Sequence, residues 1–355
     1  MDSLGNVIPT RGTSIVFDVA ASHGGAMSVL SDFYDELVAT QRPGKVYLVH
    51  STGQFRSTES VRVLKYSWPK RNWIFRLAFD LFMAPMLIGV TRAERVVSLQ
   101  NLMVPFTGKP QTLLVHTPLP FVDVRFAFRE APLLWVYQRI MAPAILYSIR
   151  HCELTIVQTR WMREAVLART GAPSESVQVI PPAVPQTRTK GRDSGVPATA
   201  PTFFYPASDV VYKNHALVVE AVEQLQTMGL SGFTVIFTLT GNESTRIVEL
   251  KRRSESLSLP IRYVGTMSRE EALDKISKSV LVFPSYVETF GLPLLEARQA
   301  GCLILATDLP FAREVLAGYE RAEYFDPFSA ASLRDRMADI ILGHCQTTGV
   351  RGESS

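Results

Sequence analysis

The chain has 355 residues, of which 46% are hydrophobic and 20% are charged, and its formal net charge is +4. This length and composition are typical of a globular protein with room for two domains, and they exclude a disordered chain. The three cysteines are too widely spaced for a disulfide framework or a zinc site, so we expect a reducing, cytoplasmic setting.

Charge is distributed unevenly, with basic residues in excess over residues 1–188 and acidic residues slightly in excess beyond them. This asymmetry indicates that the first half contacts something anionic. The N-terminus lacks the basic and apolar regions of a secretory signal. The most apolar run, residues 78–90, contains Asp80 and is shorter than the about 20 residues of a spanning helix, so we expect no transmembrane segment.

Apolar, β-branched runs alternate with helical patterns in both halves, which is typical of parallel sheets joined by crossover helices. In the first half, strands are predicted at residues 14–20, 45–50, 61–67, 95–99, 112–117, 153–158 and 177–180, and helices at 26–39, 133–150 and 161–170. In the second half, strands are predicted at residues 202–206, 233–239, 261–264, 280–283 and 303–306, and helices at 216–226, 246–256, 268–277, 294–300 and 331–342. The sequence therefore predicts an α/β protein with two Rossmann-like, doubly wound domains.

Residues 185–201 are rich in Pro, Gly, Ser and Thr and have no apolar period, so they are predicted to be a linker. It joins an N-terminal domain of residues 1–184 to a C-terminal domain of residues 202–345, and residues 346–355 are expected to be a flexible tail. Open α/β sheets bind ligands beyond the carboxyl ends of their strands. We therefore expect the two domains to face each other across a ligand-binding cleft.

A glycine pair, Gly24 and Gly25, follows the first predicted strand and precedes a helix. Such a turn lets a ligand approach the backbone and the helix N-terminus, although a plain tight turn has the same pattern. His23 beside it is a weaker candidate. Neither a G-x-G-x-x-G motif nor a phosphate-binding loop with G-K-[ST] occurs, which argues against a nicotinamide dehydrogenase and against phosphate-loop ATP chemistry.

The stretch from Arg62 to Arg76 has five basic residues, four aromatic residues and no acidic residue. Cations bind lipid phosphates and aromatic rings settle at the headgroup level, so this composition favours a peripheral membrane contact. A surface strand with solvated charges is the alternative. No nucleic-acid motif accompanies the stretch, and we expect no nucleic-acid partner.

His116 ends the predicted strand at residues 112–117, on the edge that would border the cleft. A histidine there can hydrogen-bond a hydroxyl group of a ligand, and a structural histidine is the alternative.

The first strand-to-helix turn of the second half contains Ser208 and Lys213. A lysine ammonium at this place can neutralise charge on a bound phosphate. The alternative is an ordinary surface lysine without a functional role.

The most informative segment is residues 284–301, which follows a buried-looking strand and leads into a helix. Gly291 allows close backbone approach, and Pro293 suits the first positions of a helix. Helix N-termini bind anions. Glu288 and Glu296 flank the N-terminus of this helix. Carboxylates beside a phosphate site repel the phosphate, so we expect these two to bind hydroxyl groups instead. Phosphate and hydroxyl groups together indicate a nucleotide sugar.

Residues 284–301, continued by Asp308 and by residues 312–316, resemble the two-glutamate signature of family 4 retaining glycosyltransferases with the GT-B fold. The resemblance implies that Glu288 holds a hydroxyl of the donor sugar, that Glu296 holds the ribose, and that Lys213 binds the diphosphate. With His116 as a third catalytic candidate, the remaining donor-binding candidates are Thr289, Phe290, Gly291, Leu292, Ser208, Gly24 and Gly25. Many relatives have an arginine six residues before the lysine, where this chain has Ala207.

The resemblance also implies transfer of a sugar, with retention of configuration, from a nucleotide diphosphate to a glycan or lipid-linked acceptor in polysaccharide or lipopolysaccharide assembly. No cofactor or metal is expected, because no residue cluster has metal-ligand spacing and Asp-x-Asp is absent. A non-hydrolysing nucleotide-sugar epimerase, a non-catalytic partner of another transferase and a glycan- or membrane-binding module remain the alternatives.

Overall fold

The computed structural model describes residues 4–21, 24–40, 43–182 and 200–343, without the side chains of residues 24–26 and 28. The chain divides into two compact units, Met1–Ala183 and Val184–Ser355. Each described unit contains one parallel sheet with helices packed against it, so the predicted α/β class is confirmed. The predicted tail and nearly all of the predicted linker lie outside the described residues.

The first unit contains a seven-stranded sheet with the order β3-β2-β1-β4-β5-β6-β7. Its strands are β1 (Thr13–Asp18), β2 (Lys45–His50), β3 (Val61–Lys65), β4 (Arg95–Ser98), β5 (Gln111–Leu114), β6 (Leu154–Val157) and β7 (Val177–Val179). Its helices are α1 (Gly24–Ala39), α2 (Trp73–Thr91), α3 (residues 132–151) and α4 (Arg160–Thr170). The strands lie within three residues of their predicted ends.

Helices cover both faces of this sheet. Val16 of β1 packs in a cluster with Leu30 and Phe33 of α1, whereas its neighbour Phe17 packs with Phe79 of α2. Successive side chains of a strand point to opposite faces, so β1 contributes to two separate clusters. A strand covered on both sides is apolar along its length, and this explains the run of buried residues that made β1 recognisable in the sequence.

The second unit contains a six-stranded sheet with the order β10-β9-β8-β11-β12-β13. Its strands are β8 (Thr202–Tyr205), β9 (Thr234–Phe237), β10 (Ile261–Tyr263), β11 (Val280–Phe283), β12 (Ile304–Thr307) and β13 (Ala322–Phe325). Its helices are α5 (His215–Thr227), α6 (Thr245–Ser256), α7 (Arg269–Ile276), α8 (Leu292–Gln299), α9 (Pro310–Val315) and α10 (Ala330–Ile341). Strand β13, an edge strand in which only Phe325 is buried, was not predicted.

Helix α2 is longer than the apolar run that the sequence analysis described. The apolar run at residues 78–90 is only part of a 19-residue helix, which is long and apolar enough to cross a membrane by length and composition alone. Core helices of water-exposed proteins pass the same test. One face of α2 packs on the sheet through Phe79, Ala84, Leu87 and Ile88, since this helix is the crossover between β3 and β4. Its opposite face leaves Trp73, Phe82 and Val90 exposed.

Helices α2 and α3 share a local irregularity at a Met-Ala-Pro sequence. In α2 the N–H of Ala84 donates to the carbonyl of Phe79, five residues earlier, and Pro85 follows. In α3 the N–H of Ala142 donates to the carbonyl of Tyr137, and the next residue is again proline. A proline inside a helix cannot donate its hydrogen bond and crowds the carbonyl four residues earlier, and the wide π turn relieves this crowding.

The packing of α2 predicts opposite outcomes for two phenylalanines on the same helix. Phe79 is fully buried and Phe82 is 73% exposed. We expect Phe79→Ala to lower the free energy of unfolding by about 3–5 kcal/mol, because it leaves a cavity against the sheet. We expect Phe82→Ala to change it by less than about 0.5 kcal/mol. Urea unfolding measures both, and equal losses would contradict the assigned packing.

Candidate active site

The candidate site of the second unit lies where two adjacent strands end. Strands β8 and β11 pair in parallel, so the loops that follow them, residues 206–214 and 284–291, begin side by side. Lys213 closes a short 3-10 turn in the first loop, and its ammonium forms an ion pair with Oε1 of Glu288 in the second. Ser285 donates to the same oxygen at 2.8 Å. Two of the three residues that the sequence analysis named as catalytic candidates, Lys213 and Glu288, are therefore in direct contact.

Backbone contacts hold the two loops in this arrangement. The hydroxyl of Tyr205, the last residue of β8, donates to the carbonyl of Lys213 at 2.7 Å. The carbonyl of Tyr212 accepts from the N–H of Tyr286 at 3.1 Å and from the hydroxyl of Ser285 at 3.3 Å. Since Tyr205 and Ser285 are fully buried, the ion pair rests on the core of the unit and not on mobile surface groups.

The ion pair is mostly buried, with 19% of the Lys213 side chain and 15% of the Glu288 side chain exposed. The ammonium also lies 5.7 Å and 5.8 Å from the ring centres of Tyr212 and Phe283, where the negative face of a ring attracts a cation. Burial first, and then the charge of Glu288, raise the pKa of Tyr205 well above its usual value. Each charge depends on the other, because an unpaired charge at this depth is costly.

Gly291 sets the direction of the helix that follows. Its φ of 81° lies in the left-handed region that favours glycine, and a Cβ added there would lie 3.1 Å from the side chain of Leu294. Helix α8 begins at Leu292, two residues before the predicted start, with Pro293 in its first turn. Thr289 and Phe290 lie in the short loop between Glu288 and Gly291. The first N–H groups of such a helix have no partner within it and suit an anion.

Glu296 lies one turn into α8 and pairs with a residue that the sequence analysis missed. Its Oε1 lies 3.3 Å from a guanidinium nitrogen of Arg269, the first residue of α7. A capping box, in which Ser268 and Glu271 are bonded to each other's backbone, defines the start of α7. Burial raises the pKa of Glu296, and Arg269 acts in the opposite direction.

The sequence contains weak signals for the two partners that were missed. Ser285 stands three residues before Glu288, immediately after a buried strand, where a hydroxyl can reach the carboxylate. Arg269 follows the capping serine directly, at the place where a helix begins. Neither signal specifies which carboxylate the side chain meets, because that depends on how neighbouring strands align.

The other predicted residues lie near their expected places, but the glycine pair lies inside the first turn of α1 and His116 lies two residues beyond the end of β5. Ser208 lies in the loop after β8, and Gly24 and Gly25 begin α1, whereas His23 lies outside the described residues. In the first unit, Asn101 donates from its side-chain nitrogen toward Nε2 of His116 at 3.2 Å and accepts the N–H of His116 at 2.8 Å. Burial lowers the pKa of His116 to about 4, so the ring is neutral at pH 7 with its proton on Nδ1.

A further polar cluster lies at the carboxyl ends of β1 to β3 in the first unit. Asp18, His50 and Lys65 are neighbours in the strand register. Burial raises the pKa of Asp18 to about 6 against the opposing N–H of Ala21, and burial followed by the charges of Lys65 and Lys70 lowers that of His50 to about 4. Lys70 donates to the carbonyl of Ala21 at 2.6 Å. The sequence analysis did not single out this cluster, because the three residues are far apart in the chain.

The raised pKa of Glu296 predicts how stability depends on pH. A carboxyl that binds protons more tightly when folded makes the folded state less stable as the pH rises from the unfolded value through the folded one. Arg269→Gln removes the opposing charge, so the pKa of Glu296 rises further and the loss of stability extends to higher pH. We expect about 1 kcal/mol of additional loss between pH 5 and pH 8. Urea unfolding at both pH values measures it.

Glu296→Gln is the control for this prediction, since a side chain that does not titrate removes the additional pH dependence. The other charged groups on the helices packed against α8 are Glu270, Glu271, Asp274 and Lys275 of α7 and Arg313 and Glu314 of α9, and they are unchanged in both variants. Parallel pH profiles for the wild type and Arg269→Gln would contradict the assigned pairing.

Two family models match the chain in succession. "Glycosyltransferase Family 4" matches residues 19–188, and "Glycosyl transferases group 1" matches residues 186–346. Among characterised proteins, the serotype-specific mannosyltransferase WbdA of Escherichia coli is 27% identical over 158 residues, which cover 44% of this chain. The aligned region spans 19% of that relative, or about a fifth of its length.

Solved structures resemble both units together. Sucrose-phosphate synthase from Thermosynechococcus elongatus aligns with a TM-score of 0.71 at 15% identity, covering 94% of this chain and 90% of that one. Anabaena Alr3699/HepE in complex with UDP-glucose gives 0.68 at 13% identity, covering 94% and 90%. WaaG, a glycosyltransferase involved in lipopolysaccharide biosynthesis, gives 0.65 at 15% identity, covering 93% and 90%.

These likenesses establish the fold, and the two successive family matches establish the family. The predicted family resemblance and fold are confirmed. The chain belongs to the family 4 glycosyltransferases, also described as glycosyl transferases group 1, and has the GT-B fold.

Proposed function

We propose that this chain is a retaining glycosyltransferase that moves a hexose from a nucleoside diphosphate to a glycan or lipid-linked acceptor. The observation that carries the proposal is the contact of Lys213 with Glu288 beside the start of α8. One cation, one carboxylate and one helix N-terminus are the groups that a diphosphate and a sugar hydroxyl need. The match to a mannosyltransferase and the likeness to WaaG favour a role in polysaccharide or lipopolysaccharide assembly.

In the proposed donor complex the ion pair opens. Lys213 turns to the diphosphate, and Glu288 accepts a hydrogen bond from a hydroxyl of the sugar. Both charges keep a partner, so the buried groups are not left uncompensated. Ser285 stays bonded to Glu288 and holds its orientation. Glu296 would accept hydrogen bonds from hydroxyl groups of the ribose; burial raises its pKa, and the guanidinium of Arg269 opposes that shift.

The proposed chemical step breaks the bond between the anomeric carbon and the diphosphate oxygen, which keeps the electron pair. The acceptor oxygen forms the new bond on the same face of the sugar, and its proton passes to a diphosphate oxygen. The contribution of the protein is to position both substrates and to stabilise the growing negative charge with Lys213 and the helix N-terminus. Neutral His116 fits a hydrogen-bonding role toward a hydroxyl better than a role as a base.

The test uses the donor that raises the melting temperature most in a screen of UDP, GDP, ADP and dTDP sugars. We expect Glu288→Gln and Lys213→Gln to lower the rate of transfer or donor hydrolysis by about 10²–10³-fold, because each removes a charge from the reacting centre. Exposed Glu220 on α5 provides the matched control, and Glu220→Gln should retain the wild-type rate.

Two results would contradict the proposal. One is wild-type activity in both site variants. The other is conversion of the nucleotide sugar to an isomer with no acceptor present, which would identify an epimerase.

We also propose that the first unit contacts the cytoplasmic face of an anionic membrane through residues 62–76 and the exposed face of α2. Trp73, Phe82, Met86 and Val90 are exposed on this helix, and basic residues precede it without an acid. Apolar side chains and cations on one element suit the boundary between lipid headgroups and acyl chains. Such a contact would bring the protein to a lipid-linked acceptor.

Sedimentation with vesicles tests the membrane contact. We expect the wild type to bind vesicles that contain phosphatidylglycerol more than neutral phosphatidylcholine vesicles, and Phe82→Ser with Met86→Ser to reduce binding by about tenfold, because burial of apolar area is lost. Phe328→Ser removes an aromatic residue of similar exposure from the second unit and should leave binding unchanged. Equal binding by all three proteins would contradict the proposal.

A further inference from the structure

The proposed diphosphate subsite has an unexplained shortage of positive charge. The loop at residues 206–214 contains one cation, Lys213, which is paired with Glu288, and one acid, Asp209. Position 207, where the sequence resemblance leads one to expect an arginine, is Ala207. A departing diphosphate gains negative charge during the reaction, so a single shared lysine is a weak counterpart for it.

A second cation reaches this loop from the neighbouring strand. Strand β9 pairs with β8, and helix α6, which follows β9, contributes Arg246. The Arg246 guanidinium donates to the backbone carbonyl of Asp209, two residues from Ala207. The two loops are tied together at Ala207 itself, whose N–H donates to the hydroxyl of Thr238 at 3.1 Å. Arg246 therefore lies beside the place that the expected arginine would occupy.

In the described part of the chain, Arg246 is a cation that is not paired with a carboxylate and can therefore bind an anion. It is half-buried, and among the residues that the structure describes no carboxylate lies within ion-pair distance of it. Its partner is a neutral carbonyl, and a guanidinium has five N–H donors, so most of them remain available. A half-buried arginine without an acid is unfavourable unless it meets an anion. The hydroxyl of Ser244, which precedes α6, is also buried without a partner.

Electrostatics indicate that Arg246 and Lys213 act on the same region. His215 is fully buried at the start of α5, and neither of its ring nitrogens has a hydrogen-bond partner. Burial first, and then the charges of Arg246 and Lys213, lower its pKa to about 3, and the charge of Glu243 acts in the opposite direction. The carboxylate of Glu243 is itself held by the backbone N–H groups of Thr240, Gly241 and Asn242.

We propose that Arg246 supplies the second positive charge of the diphosphate subsite, in place of the arginine that this chain lacks at position 207. The inference rests on the proposed function. Arg246 would approach the diphosphate from α6 while Lys213 approaches from the loop after β8. The planar fork of donors can hold two phosphate oxygens in a fixed bidentate geometry, whereas a lysine ammonium acts as a point charge. Arg246 would then stabilise the electron pair that the diphosphate oxygen keeps when the sugar leaves.

Binding measurements by calorimetry test this role. The probes are UDP and GDP, their monophosphates UMP and GMP, and inorganic pyrophosphate, which does not depend on the base. We expect Arg246→Gln to weaken binding of the diphosphates and of pyrophosphate by about 10–100-fold and that of the monophosphates by a smaller factor. Arg252→Gln removes the same charge from an exposed position further along α6 and should change nothing.

A rescue variant separates a direct role from a structural one. If Arg246 acts through its charge at the diphosphate, Ala207→Arg in the Arg246→Gln background restores diphosphate affinity to within a few-fold of the wild type. If Arg246 only holds the loop, diphosphates and monophosphates lose affinity by the same factor and the rescue fails, which overturns the inference. Circular dichroism and the melting temperature verify that each variant is folded.

Lys213→Gln distinguishes this inference from the proposed function. If Lys213→Gln weakens diphosphate binding and Arg246→Gln does not, the proposed function stands and the role of Arg246 is overturned. If neither substitution changes the binding of any diphosphate, both the proposed function and the role of Arg246 are overturned.

Discussion

The geometry of the candidate site in the second unit depends on the ion pair between Lys213 and Glu288. It joins the loops that follow β8 and β11, and Ser285 and Tyr205 hold its two ends. If either charge is removed, the remaining charge is mostly buried and has no partner of opposite charge, which is strongly unfavourable. In the proposed function the same cation binds the diphosphate and the same carboxylate binds a sugar hydroxyl. The two side chains that stabilise the loops are therefore also the ones proposed to bind the donor.

The position of this pair follows from the topology of the sheet. In the order β10-β9-β8-β11-β12-β13, the chain runs outward from β8 in one direction and returns to place β11 on its other side. The loops after these two strands therefore start at a point where the strand order reverses, which is where open α/β sheets bind ligands. In the first unit β1 and β4 have the same relation; Asp18 is the last residue of β1, and Asn101 lies in the loop after β4. Both units therefore place polar groups at the point where strand order reverses.

Prediction from the sequence succeeded where one local signal was sufficient. Buried parallel strands are rich in apolar and β-branched residues, and twelve of the thirteen strands in the described part of the chain were predicted from this composition. The exception, β13, is an edge strand with one fully buried residue. Helix α2 was recognised only as an apolar run, because its sheet-facing residues and its exposed residues are almost equally apolar, and no alternation marks where it begins. The expected cleft between the domains stays a prediction.

The sequence by itself determined the α/β class, the strand positions and the residues Lys213, Glu288, Gly291 and Glu296, because each depends on local propensity or on a motif of short spacing. Only the tertiary structure decided which charges meet. Arg269 pairs with Glu296 and Arg246 reaches the loop after β8 because neighbouring strands bring distant segments together. Spacing along the chain contains no record of such contacts, since the order of strands in a sheet is set by packing of its two faces and not by neighbouring residues.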